Sequence, residues 1–564
     1  MLMPKGISQC EPFSRGKFVL TPKFADFNLR MEKSMKNYEF YEHEPVYTIK
    51  ELLEFCAKTY TGKEAFSYEE NGHTISVTFE EFRQDVYAFG SSLFDDGFQN
   101  CHVAVFGENC YGWILTWFAV VCGGNVIVPI DKELDADSVI EILHDSECRA
   151  VIYSDTYADI AEQVREKKPA LTYISMKELP VMIRRGRKLA ADRHLELKKN
   201  KIKEKDLASI VYTSGTTGKS KGVMLAHGNF CSCMYGSCRN IKLTGTSLLI
   251  LPLHHTYGLV AGVFIVMFHG MPIYINNSLK RLSDDLKKCS PQHLFVVPLI
   301  VETLYQNIWN TARKQGKDKL LRRMMKVSDA LLRCGIDLRK VFFRSVIDAL
   351  GRKLDLIVSG GAPIDDKYIS AFRSLGITVL NGYGITECGP VVAVNRNHFI
   401  VPDSVGMPLC CNEVRISESG EILVKGSNVM LGYYHDEQEN AKVFDGEWFK
   451  TGDIGFLDDY GALHITGRIK NLIILGNGEN IPAEVIERAV LEISYVKEAV
   501  AYEQGNHIAV EVFLDDSVPD AGDKIHEDIR AVNRKLPHLQ NIAQVIVRDT
   551  EFPKTTTKKI KRTH

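Results

Sequence analysis

"YTSGTTGKSKG", residues 212–222, is rich in glycine, hydroxyl groups and lysine, and it directly follows the apolar segment "ASIV". Gly218-Lys219-Ser220 matches the end of the Walker A pattern, G-x-x-x-x-G-K-[ST], whose first glycine would then stand at position 213. Thr213 occupies that position, so the Walker pattern fails at the residue that turns the chain around the phosphates. The glycines still permit close backbone approach, and the hydroxyls, N–H groups and lysines can bind phosphate oxygens. Alone, the stretch is either a phosphate loop of another kind or a mobile surface loop.

Short apolar segments alternate with helical patterns across most of the chain. Buried strands are predicted at residues 208–213, 247–253, 271–275, 294–298, 354–359 and 377–380. Several of these segments run into glycine-rich or polar loops and then into helices. This alternation predicts an α/β fold with largely parallel sheets, whose ligands bind at the carboxyl ends of the strands.

Length and composition restrict the class of protein. The chain has 564 residues, too many for one hydrophobic core, which predicts about two to four domains. The formal net charge of −2 gives no reason to expect a nucleic-acid partner. Fourteen cysteines lack the spacing of a zinc site and are interpreted as free thiols. The N-terminus has no apolar core of a secretory signal, so we expect a cytoplasmic protein.

Three segments bear on membranes. Residues 112–130, "GWILTWFAVVCGGNVIVPI", approach the length of a membrane span, but Gly123, Gly124 and Asn125 interrupt them. We interpret them as a buried helix followed by a buried strand. Residues 182–206 and 311–353 are basic, and the second segment has apolar residues at helical spacing. A surface helix packed by one face is expected there, with a membrane-surface helix as the alternative, so membrane contact is at most peripheral.

Residues 210–230, "IVYTSGTTGKSKGVMLAHGNF", resemble the phosphate loop of the adenylate-forming superfamily, which contains acyl- and aryl-CoA synthetases, luciferases and peptide-synthetase adenylation domains. The family pattern is YTSGTTGxPKGVxxTH, and Ser220 stands where proline is usual. This match assigns phosphate binding to Thr213, Ser214, Gly215, Thr216, Thr217, Gly218, Lys219 and Lys221.

Three further motifs follow in the family's order. "LPLHHTYG", residues 251–258, resembles the segment beside the carboxylate site and places His255 there. "SGGAPI", residues 359–364, resembles the adenine-flanking loop. "LNGYGITECGP", residues 380–390, resembles Y-G-x-T-E, in which Tyr383 offers a ring to adenine, Thr386 a hydroxyl to the α-phosphate and Glu387 a hard oxygen to Mg²⁺. The two nucleotide-binding segments supply Gly361, Ala362, Pro363, Asn381, Gly382, Tyr383 and Gly384.

The remaining motifs lie nearer the C-terminus. "WFKTGDIG" resembles the motif whose aspartate, here Asp453, accepts the ribose hydroxyls. "ITGRIKNLI" resembles the domain junction, with Arg468 at ribose or phosphate and Lys470 at the hinge. "FPKTTTKKIKR" resembles the segment that carries the adenylation lysine, here Lys559. Lys558 replaces the usual glycine before it, and Ile474 stands where many fatty-acid members have a second lysine.

The resemblance implies a large N-terminal domain, residues 1–466, that binds ATP and the acid, and a mobile α+β domain, residues 467–564. It implies that a carboxylate attacks ATP with Mg²⁺, giving an acyl-adenylate and pyrophosphate, and that a thiol then displaces AMP. The thiol belongs to CoA or to a separate phosphopantetheine carrier protein. Thr256 stands where amino-acid-activating relatives have aspartate, which favours an unsubstituted acid. The helical insertion at residues 311–353, together with "LPLHHTYG" and "YGITECGPVVAVNR", most resembles the bacterial long-chain acyl-CoA synthetase branch, which favours a fatty acid over an aryl acid.

Two other classes remain open at this point. A Walker-type NTPase would require the glycine that Thr213 replaces and would have no use for Asp453 or Lys559. A weakened, regulatory nucleotide-binding relative is suggested by the departures at Lys558 and Ile474.

Overall fold

The computed structural model of the chain describes residues 37–192, 200–213, 220–276, 278–475, 480–554, 560 and 562. Contacts divide the chain into two units, Met1–Glu39 and Phe40–His564. All elements below belong to the second unit. Helices within the described residues are Ile49–Thr59, Phe79–Asp95, Tyr111–Cys122, Ala136–Asp145, Ala158–Lys167, Leu179–Asp192, His227–Asn240, Thr256–Leu259, Ile265–Phe268, Leu282–Cys289, Pro298–Lys314, Asp318–Arg333, Arg339–Phe342, Arg344–Ala349, Asp366–Ser374, Glu437–Val443, Ala483–Leu491 and Ala521–Asn533.

The strands alternate with these helices along the chain. In order they are β1 (Glu64–Glu70), β2 (His73–Thr78), β3 (His102–Phe106), β4 (Val126–Ile130), β5 (Cys148–Tyr153), β6 (Thr172–Ser175), β7 (Leu207–Thr213), β8 (Lys221–Ala226), β9 (Ser247–Leu249), β10 (Ile273–Ile275), β11 (His293–Val296), β12 (Leu356–Ser359), β13 (Thr378–Gly384), β14 (Val391–Val394), β15 (Met407–Pro408), β16 (Asn412–Ile416), β17 (Glu421–Gly426), β18 (Gly432–Tyr433), β19 (Phe444–Asp445), β20 (Trp448–Leu457), β21 (Leu463–Arg468), β22 (Leu472–Ile474), β23 (Asn480–Pro482), β24 (Val496–Gln504), β25 (His507–Leu514) and β26 (Ile542–Arg548).

A nine-stranded sheet has the order β15-β14-β13-β12-β11-β9-β10-β1-β2. Its strands from β13 to β1 are parallel, and antiparallel pairs lie at both edges. β12 and β13 pair so that Ser359 lies opposite Asn381, which brings the carboxyl ends of both strands to the same edge. The expected α/β fold with largely parallel sheets is confirmed.

A seven-stranded sheet has the order β18-β8-β7-β4-β3-β5-β6. Its β3, β4, β5, β6 and β7 are parallel, whereas β8 is antiparallel to both β7 and β18. The glycine-rich stretch that follows β7 therefore leads back into a strand and not into a helix. Thr213 at the end of β7 pairs with Lys221 at the start of β8.

The two large sheets share one apolar core. It contains Phe66 of β1, Val105 of β3 and the helix Tyr111–Cys122, whose side chains are buried from Trp113 onward. The interpretation of residues 112–130 as a buried helix and strand is confirmed by this helix and β4. Across the described parts of the chain, we find no helix with the length and apolar character needed to cross a membrane.

The basic segment at residues 311–353 is helical, as predicted, but it is divided. Helices Pro298–Lys314 and Asp318–Arg333 meet near Gly316, and the second helix ends before Gly335. Both glycines have positive φ, +65° and +80°, the left-handed conformation in which glycine terminates helices without a Cβ clash. A second apolar core, with Leu248, Ile357 and Phe372, lies under these helices.

The chain after β21 has an apolar core of its own. Ile486, Val510 and Ile525 come from the helix Ala483–Leu491, β25 and the helix Ala521–Asn533. A five-stranded sheet, β16-β17-β20-β19 with β21 on β20, precedes this region. The predicted boundary between residues 466 and 467 falls inside β21, and the division into two domains stays a prediction.

Several strand bounds differ from the prediction, and the two largest differences are at β9 and β13. β9 ends at Leu249, whereas residues 247–253 were expected to be extended. β13 continues to Gly384, past the expected end at residue 380, because Gly382, Tyr383 and Gly384 pair with β14. The residues around Tyr383 therefore lie on a strand end and not in an exposed loop.

Candidate functional site

Tyr383, Asp453 and Arg468 form one polar cluster. Asp453 on β20 lies directly opposite Arg468 on β21, so the two side chains form a cross-strand ion pair with 2.6 Å between Nε and Oδ1. Tyr383 donates its hydroxyl hydrogen to Oδ2 of Asp453 at 2.5 Å. Asp453 is only 2% exposed. Burial and the neighbouring carboxylate raise the pKa of Tyr383 well above 10, so the phenol stays protonated and remains a donor.

A second cluster joins Glu387, Tyr433, Lys221 and Glu439. Glu387 lies in the turn Thr386–Cys388, three residues beyond the end of β13, and its Oε1 accepts a hydrogen bond of 2.8 Å from Tyr433. The Lys221 ammonium lies 5.2 Å from the centre of the Tyr433 ring and forms an ion pair with Glu439. The hydrogen bond from Lys221 lowers the pKa of Glu439. A predicted phosphate-binding lysine and the predicted Mg²⁺ ligand are thus linked through one tyrosine.

Tyr433 and Glu439 were not identified from the sequence. Tyr433 reaches the cluster because β18 pairs with β8, with Tyr433 opposite Val223. Glu439 follows on the helix Glu437–Val443. The local signal, "GYYHDEQENAK", is a polar turn and a helix start, which carries no specific indication of phosphate or metal chemistry.

The predicted phosphate loop lies between β7 and β8. Its two described ends are Thr213 and Lys221, both of intermediate burial. The residues between them that were assigned to phosphate, Ser214, Gly215, Thr216, Thr217, Gly218 and Lys219, lie outside the described residues.

The predicted adenine loop follows β12. Gly361 has φ +83° and is exposed together with Pro363, and Ala362 is partly buried. The neighbouring β13 contributes Asn381, whose Nδ2 donates to the carbonyl of Ser404 at 3.2 Å. Since Ser359 pairs with Asn381, this loop and the Tyr383 cluster lie at the same edge of the nine-stranded sheet.

His255 lies at the start of a short helix that is hydrogen-bonded to β12. It precedes Thr256–Leu259, and its ring centre is 4.2 Å from that of His254. Burial and the neighbouring His255 lower the pKa of His254 to about 3, so His254 is neutral beside Asp131, with 3.3 Å between Nε2 and Oδ1. Tyr257 donates to the carbonyl of Val358 at 3.1 Å, which connects this helix to the strand that leads to the adenine loop.

A helical segment with one wide turn continues from His255. Val260–Phe264 forms a π-helical turn between Thr256–Leu259 and Ile265–Phe268. Such turns are rare and often lie at functional sites. This turn gives a structural reason to consider the segment beyond His255 as part of the acid-binding region.

The predicted hinge and adenylation residues lie further along. Lys470 lies in the turn Ile469–Asn471 after β21, where desolvation by the surrounding protein and the nearby Arg468 lower its pKa. Lys559 and Lys558 lie outside the described residues, although Lys554 and Ile560 on either side form a backbone bridge. Ile474 is exposed at the end of β22.

The sequence predicts one ligand for a metal ion, the carboxylate of Glu387. Within the described ranges, no group of three or more His, Cys, Asp or Glu side chains is arranged to hold a metal ion. Glu387 offers one carboxylate. This fits Mg²⁺, which proteins commonly bind through one or two carboxylates with phosphate oxygens and water completing the octahedron.

Comparison with known proteins gives consistent matches. The sequence profile described as AMP-binding enzyme matches residues 53–434, more than half of the chain. A long-chain-fatty-acid–CoA ligase of Mycobacterium bovis is 29% identical over 462 residues, covering 76% of this chain and 76% of that protein. Long-chain-fatty-acid–CoA ligase 1 of Cavia porcellus is 30% identical over 444 residues, covering 71% of this chain and 63% of that protein.

A solved structure shares the fold. The o-succinylbenzoate CoA synthetase of Bacillus subtilis, in complex with its acyl-adenylate intermediate, aligns with a TM-score of 0.70 at 22% identity. The alignment covers 92% of this chain and 97% of that one. At this identity the similarity establishes the fold alone.

Proposed function

The chain belongs to the AMP-binding enzyme family, and from this membership we propose that it activates a fatty acid with ATP and transfers the acyl group to CoA. The observation that carries the proposal is the arrangement around the end of β13. Tyr383 and Glu387, four residues apart, contact Asp453 and Tyr433 respectively. The residues predicted to bind adenine, the α-phosphate and Mg²⁺ therefore lie within five consecutive positions, and Asp453, predicted to bind the ribose, contacts the first of them.

The first half-reaction is the attack of the carboxylate on the α-phosphorus of ATP. It brings an anion to a polyanion, so charge neutralisation and positioning matter more than proton transfer. We assign adenine to the loop Gly361–Pro363 and the Tyr383 ring, the ribose hydroxyls to Asp453, and the phosphates to Thr386, Lys221 and the loop after β7. The hydrogen bond between Tyr383 and Asp453 would fix the ring beside the ribose site.

Mg²⁺ supplies charge neutralisation on the phosphates when it is bound. Glu387 is the residue assigned to hold it, and Tyr433 orients that carboxylate through its hydroxyl. Tyr433 stays protonated because burial and Glu387 raise its pKa. Glu439 in turn fixes Lys221 beside the same tyrosine.

The acid is assigned to the region of His255 and the segment that follows it. A fatty acid is supported by the similarity to long-chain-fatty-acid–CoA ligases of bacterial and mammalian origin and by Thr256 in place of an aspartate. The solved aryl-type relative, an o-succinylbenzoate CoA synthetase, keeps the aryl acid as the alternative.

The second half-reaction is the attack of a thiol on the acyl-adenylate. We propose CoA as the thiol, with a separate carrier protein as the alternative. Residues 467–564 are proposed to rotate about Lys470, which removes Lys559 from the adenylation site and admits the thiol. The thirteen free cysteines among the described residues fit a reducing compartment, and we propose the cytoplasm.

Isotope exchange between pyrophosphate and ATP tests the first half-reaction. The full-length chain with Mg²⁺ is expected to catalyse exchange with long-chain fatty acids and far less with aryl acids. Absence of exchange across a broad panel of acids would contradict ligase activity and favour a regulatory relative. Lys559→Ala is expected to abolish exchange, and full exchange in this variant would contradict the assigned role.

Thioester formation tests the acceptor. The acid that gives the fastest exchange is incubated with ATP and either CoA or a purified acyl carrier protein, and the thioester is quantified. We expect acyl-CoA. A product formed only on the carrier protein would replace CoA as the proposed acceptor while leaving the adenylation step intact.

A further inference from the structure

His254 and His255 differ in how far they are exposed. His254 is 8% exposed, and His255 beside it is partly exposed, with 4.2 Å between the two ring centres. His255 is therefore the one of the two that a bound acid can contact, and His254 packs against it. Burial and the neighbouring His255 lower the pKa of His254 to about 3, so its ring is neutral and brings no charge to the acid. What His254 can supply is support for the ring of His255.

Asn109 holds the segment that leads to these histidines. Its Nδ2 donates to the carbonyl of Leu251 at 2.8 Å, and its Oδ1 accepts the N–H of Leu253 at 3.1 Å. Pro252 between them has no N–H to offer. Leu251 and Leu253 are both buried, and an unpaired backbone donor or acceptor in such a place destabilises the fold. Asn109 therefore fixes the chain at two points within three residues, directly before His254.

Asp131 faces His254 from the neighbouring strand end. Its Oδ1 lies 3.3 Å from Nε2 of His254. β3 and β4 are parallel, with Phe106 opposite Ile130, so Asn109 and Asp131 follow the carboxyl ends of two adjacent strands in the seven-stranded sheet. The segment that they contact follows β9 of the nine-stranded sheet. Two residues of one sheet thus hold a segment that belongs to the other.

The chain around Asn109 is itself held in place. The preceding Glu108 accepts hydrogen bonds from the hydroxyls of Ser154 and Thr156, which follow β5 in the same sheet. The buried helix Tyr111–Cys122 begins two residues after Asn109. Because the chain is fixed on both sides, the amide of Asn109 is presented to the histidine segment in one position.

The histidine segment also lies beside the loop assigned to adenine. Tyr257, two residues beyond His255, donates to the carbonyl of Val358 at 3.1 Å, and a Cβ on Gly360 would lie 3.1 Å from the Tyr257 ring. The position of His255 is therefore tied to the strand end from which the adenine loop starts. A displacement of about 1 Å between reacting groups can lower a rate about a hundredfold, so residues that fix this distance matter without touching a substrate.

We propose that Asn109 and Asp131 are positioning residues for the carboxylic acid. Asn109 fixes the chain before His254, and Asp131 fixes the ring that packs against His255, so that His255 stays directed at the reacting carboxylate. This role rests on the proposed ligase function and on the assignment of the acid to His255. Neither residue is assigned to ATP, so their loss should weaken the use of the acid and spare the nucleotide.

The test is pyrophosphate exchange by the full-length chain, with the acid that wild type uses fastest and with acid and ATP varied separately. Asn109→Ala is expected to lower kcat/KM for the acid at least about tenfold and to leave the KM for ATP within about twofold. Asp131→Ala should lower the same kcat/KM and also spare ATP. An unchanged kcat/KM for the acid would overturn the role of the substituted residue. An equal loss toward ATP would show general distortion of the site and would overturn it as well.

A double variant shows whether Asn109 acts through His255. His255→Ala alone should lower kcat/KM for the acid, and Asn109→Ala/His255→Ala should lie within about twofold of it, because no imidazole is left to position. A further tenfold loss in the double variant would show that Asn109 acts by another route. Wild-type exchange in His255→Ala would remove the residue that is positioned. Either result would overturn the proposal.

Asn533→Ala is the matched control. The Asn533 amide makes the same pair of backbone hydrogen bonds, donating to the carbonyl of Ile542 and accepting its N–H, both at 2.9 Å, in the C-terminal region. Its loss should leave kcat/KM for the acid unchanged, and circular dichroism checks the fold of every variant. An equal fall in this control would overturn the positioning role. Absence of exchange in wild type would overturn the ligase function and this role together, whereas wild-type exchange with an unaffected Asn109→Ala would overturn the role of Asn109 alone.

Discussion

The hydroxyl of Tyr383 donates a hydrogen bond to Oδ2 of Asp453 across 70 residues of sequence, at 2.5 Å. Arg468 binds the other oxygen of the same carboxylate. The two contacts hold an almost fully buried aspartate in one orientation, with a tyrosine ring fixed beside it. The predicted ribose and adenine contacts are thus parts of one hydrogen-bonded unit.

Tyr383→Phe keeps the ring and removes the hydroxyl. A hydrogen bond to a carboxylate contributes about 1–2 kcal/mol, so we expect the KM for ATP in pyrophosphate exchange to rise about five- to thirtyfold. Tyr495→Phe is the matched control, because Tyr495 also donates to an aspartate, Asp528, at 2.5 Å. An unchanged KM for ATP in Tyr383→Phe would show that this hydrogen bond does not organise the nucleotide site.

Glu439→Gln removes the charge that pairs with Lys221. At neutral pH we expect the free energy of unfolding to fall by about 1 kcal/mol, because both side chains are largely buried. Lys221 lowers the pKa of Glu439 below its ordinary 4.5, so the unfolded chain takes up the proton first as the pH falls.

The contribution of this ion pair is therefore complete above pH 4.5 and is lost below it. Urea unfolding of wild type and Glu439→Gln should differ by a constant amount near pH 7 and converge as the pH falls below 4.5. Glu437→Gln, on the exposed side of the same helix, should show no such gap. A gap that persists unchanged at low pH would contradict the ion-pair explanation.

His227 is expected to make stability depend on pH. Its Nδ1 accepts the N–H of Ile49 at 3.3 Å, which requires an unprotonated nitrogen, and burial lowers its pKa from 6.5 to about 4. Between these two values the unfolded chain binds more protons than the folded chain, so the free energy of unfolding decreases by about 1.4 kcal/mol for each unit by which the pH is lowered.

The check is the slope of the unfolding free energy against pH. His227→Gln keeps an acceptor but cannot titrate, so the slope between pH 6.5 and 4 should become shallower by about that amount. His507→Gln, on an exposed strand position, should keep the wild-type slope. An identical slope in both variants would contradict the prediction.

Gly384 leaves no room for a side chain. A Cβ there would lie 1.8 Å from the carbonyl oxygen of Pro390 and 2.9 Å from the Cα of Val391, both backbone atoms. Gly384→Ala should therefore distort the end of β13, lower the free energy of unfolding by more than about 2 kcal/mol and abolish exchange activity.

Gly522→Ala is the control for that substitution. Nothing lies within 4 Å of its Cβ position, and the residue is inside the helix Ala521–Asn533. Because Gly522 lies in the first turn of the helix, alanine should raise the free energy of unfolding by at most about 1 kcal/mol and should not lower it. Thermal unfolding of both variants checks the pair, and normal stability in Gly384→Ala would refute the packing argument.

The sequence predicted the fold class, and it named Tyr383 and Glu387 as candidate site residues. Tyr383 and Glu387 lie within five consecutive residues, and the resemblance of that segment to a family motif sufficed to name them. Tyr433 and Glu439 could not be found in this way, because they reach Lys221 and Glu387 only through the pairing of β18 with β8, which are about 200 residues apart.

The ends of the strands could not be predicted from the sequence either. β13 extends to Gly384 because β14 pairs with it, and no periodicity within residues 377–384 indicates that partner. The same limit applies to the two helices of the basic segment. Their helical spacing could be recognised in the sequence. The side that faces the core could not, because it depends on the burial of Leu321 and Ser328 against elements that are distant in sequence.

Tyr383 and Glu387, the residues assigned to adenine and Mg²⁺, lie at and just beyond the end of β13, whereas His255 precedes a separate helix that is joined to β12 by the hydrogen bond from Tyr257. Because the two sets of residues lie on separate elements, one set can be substituted while the other stays unchanged. Under the proposed assignments, substitutions in the helix and its π-turn would change which acid is accepted while the residues proposed to bind ATP keep their positions. A chain built in this way can diverge in substrate while its energy source stays the same.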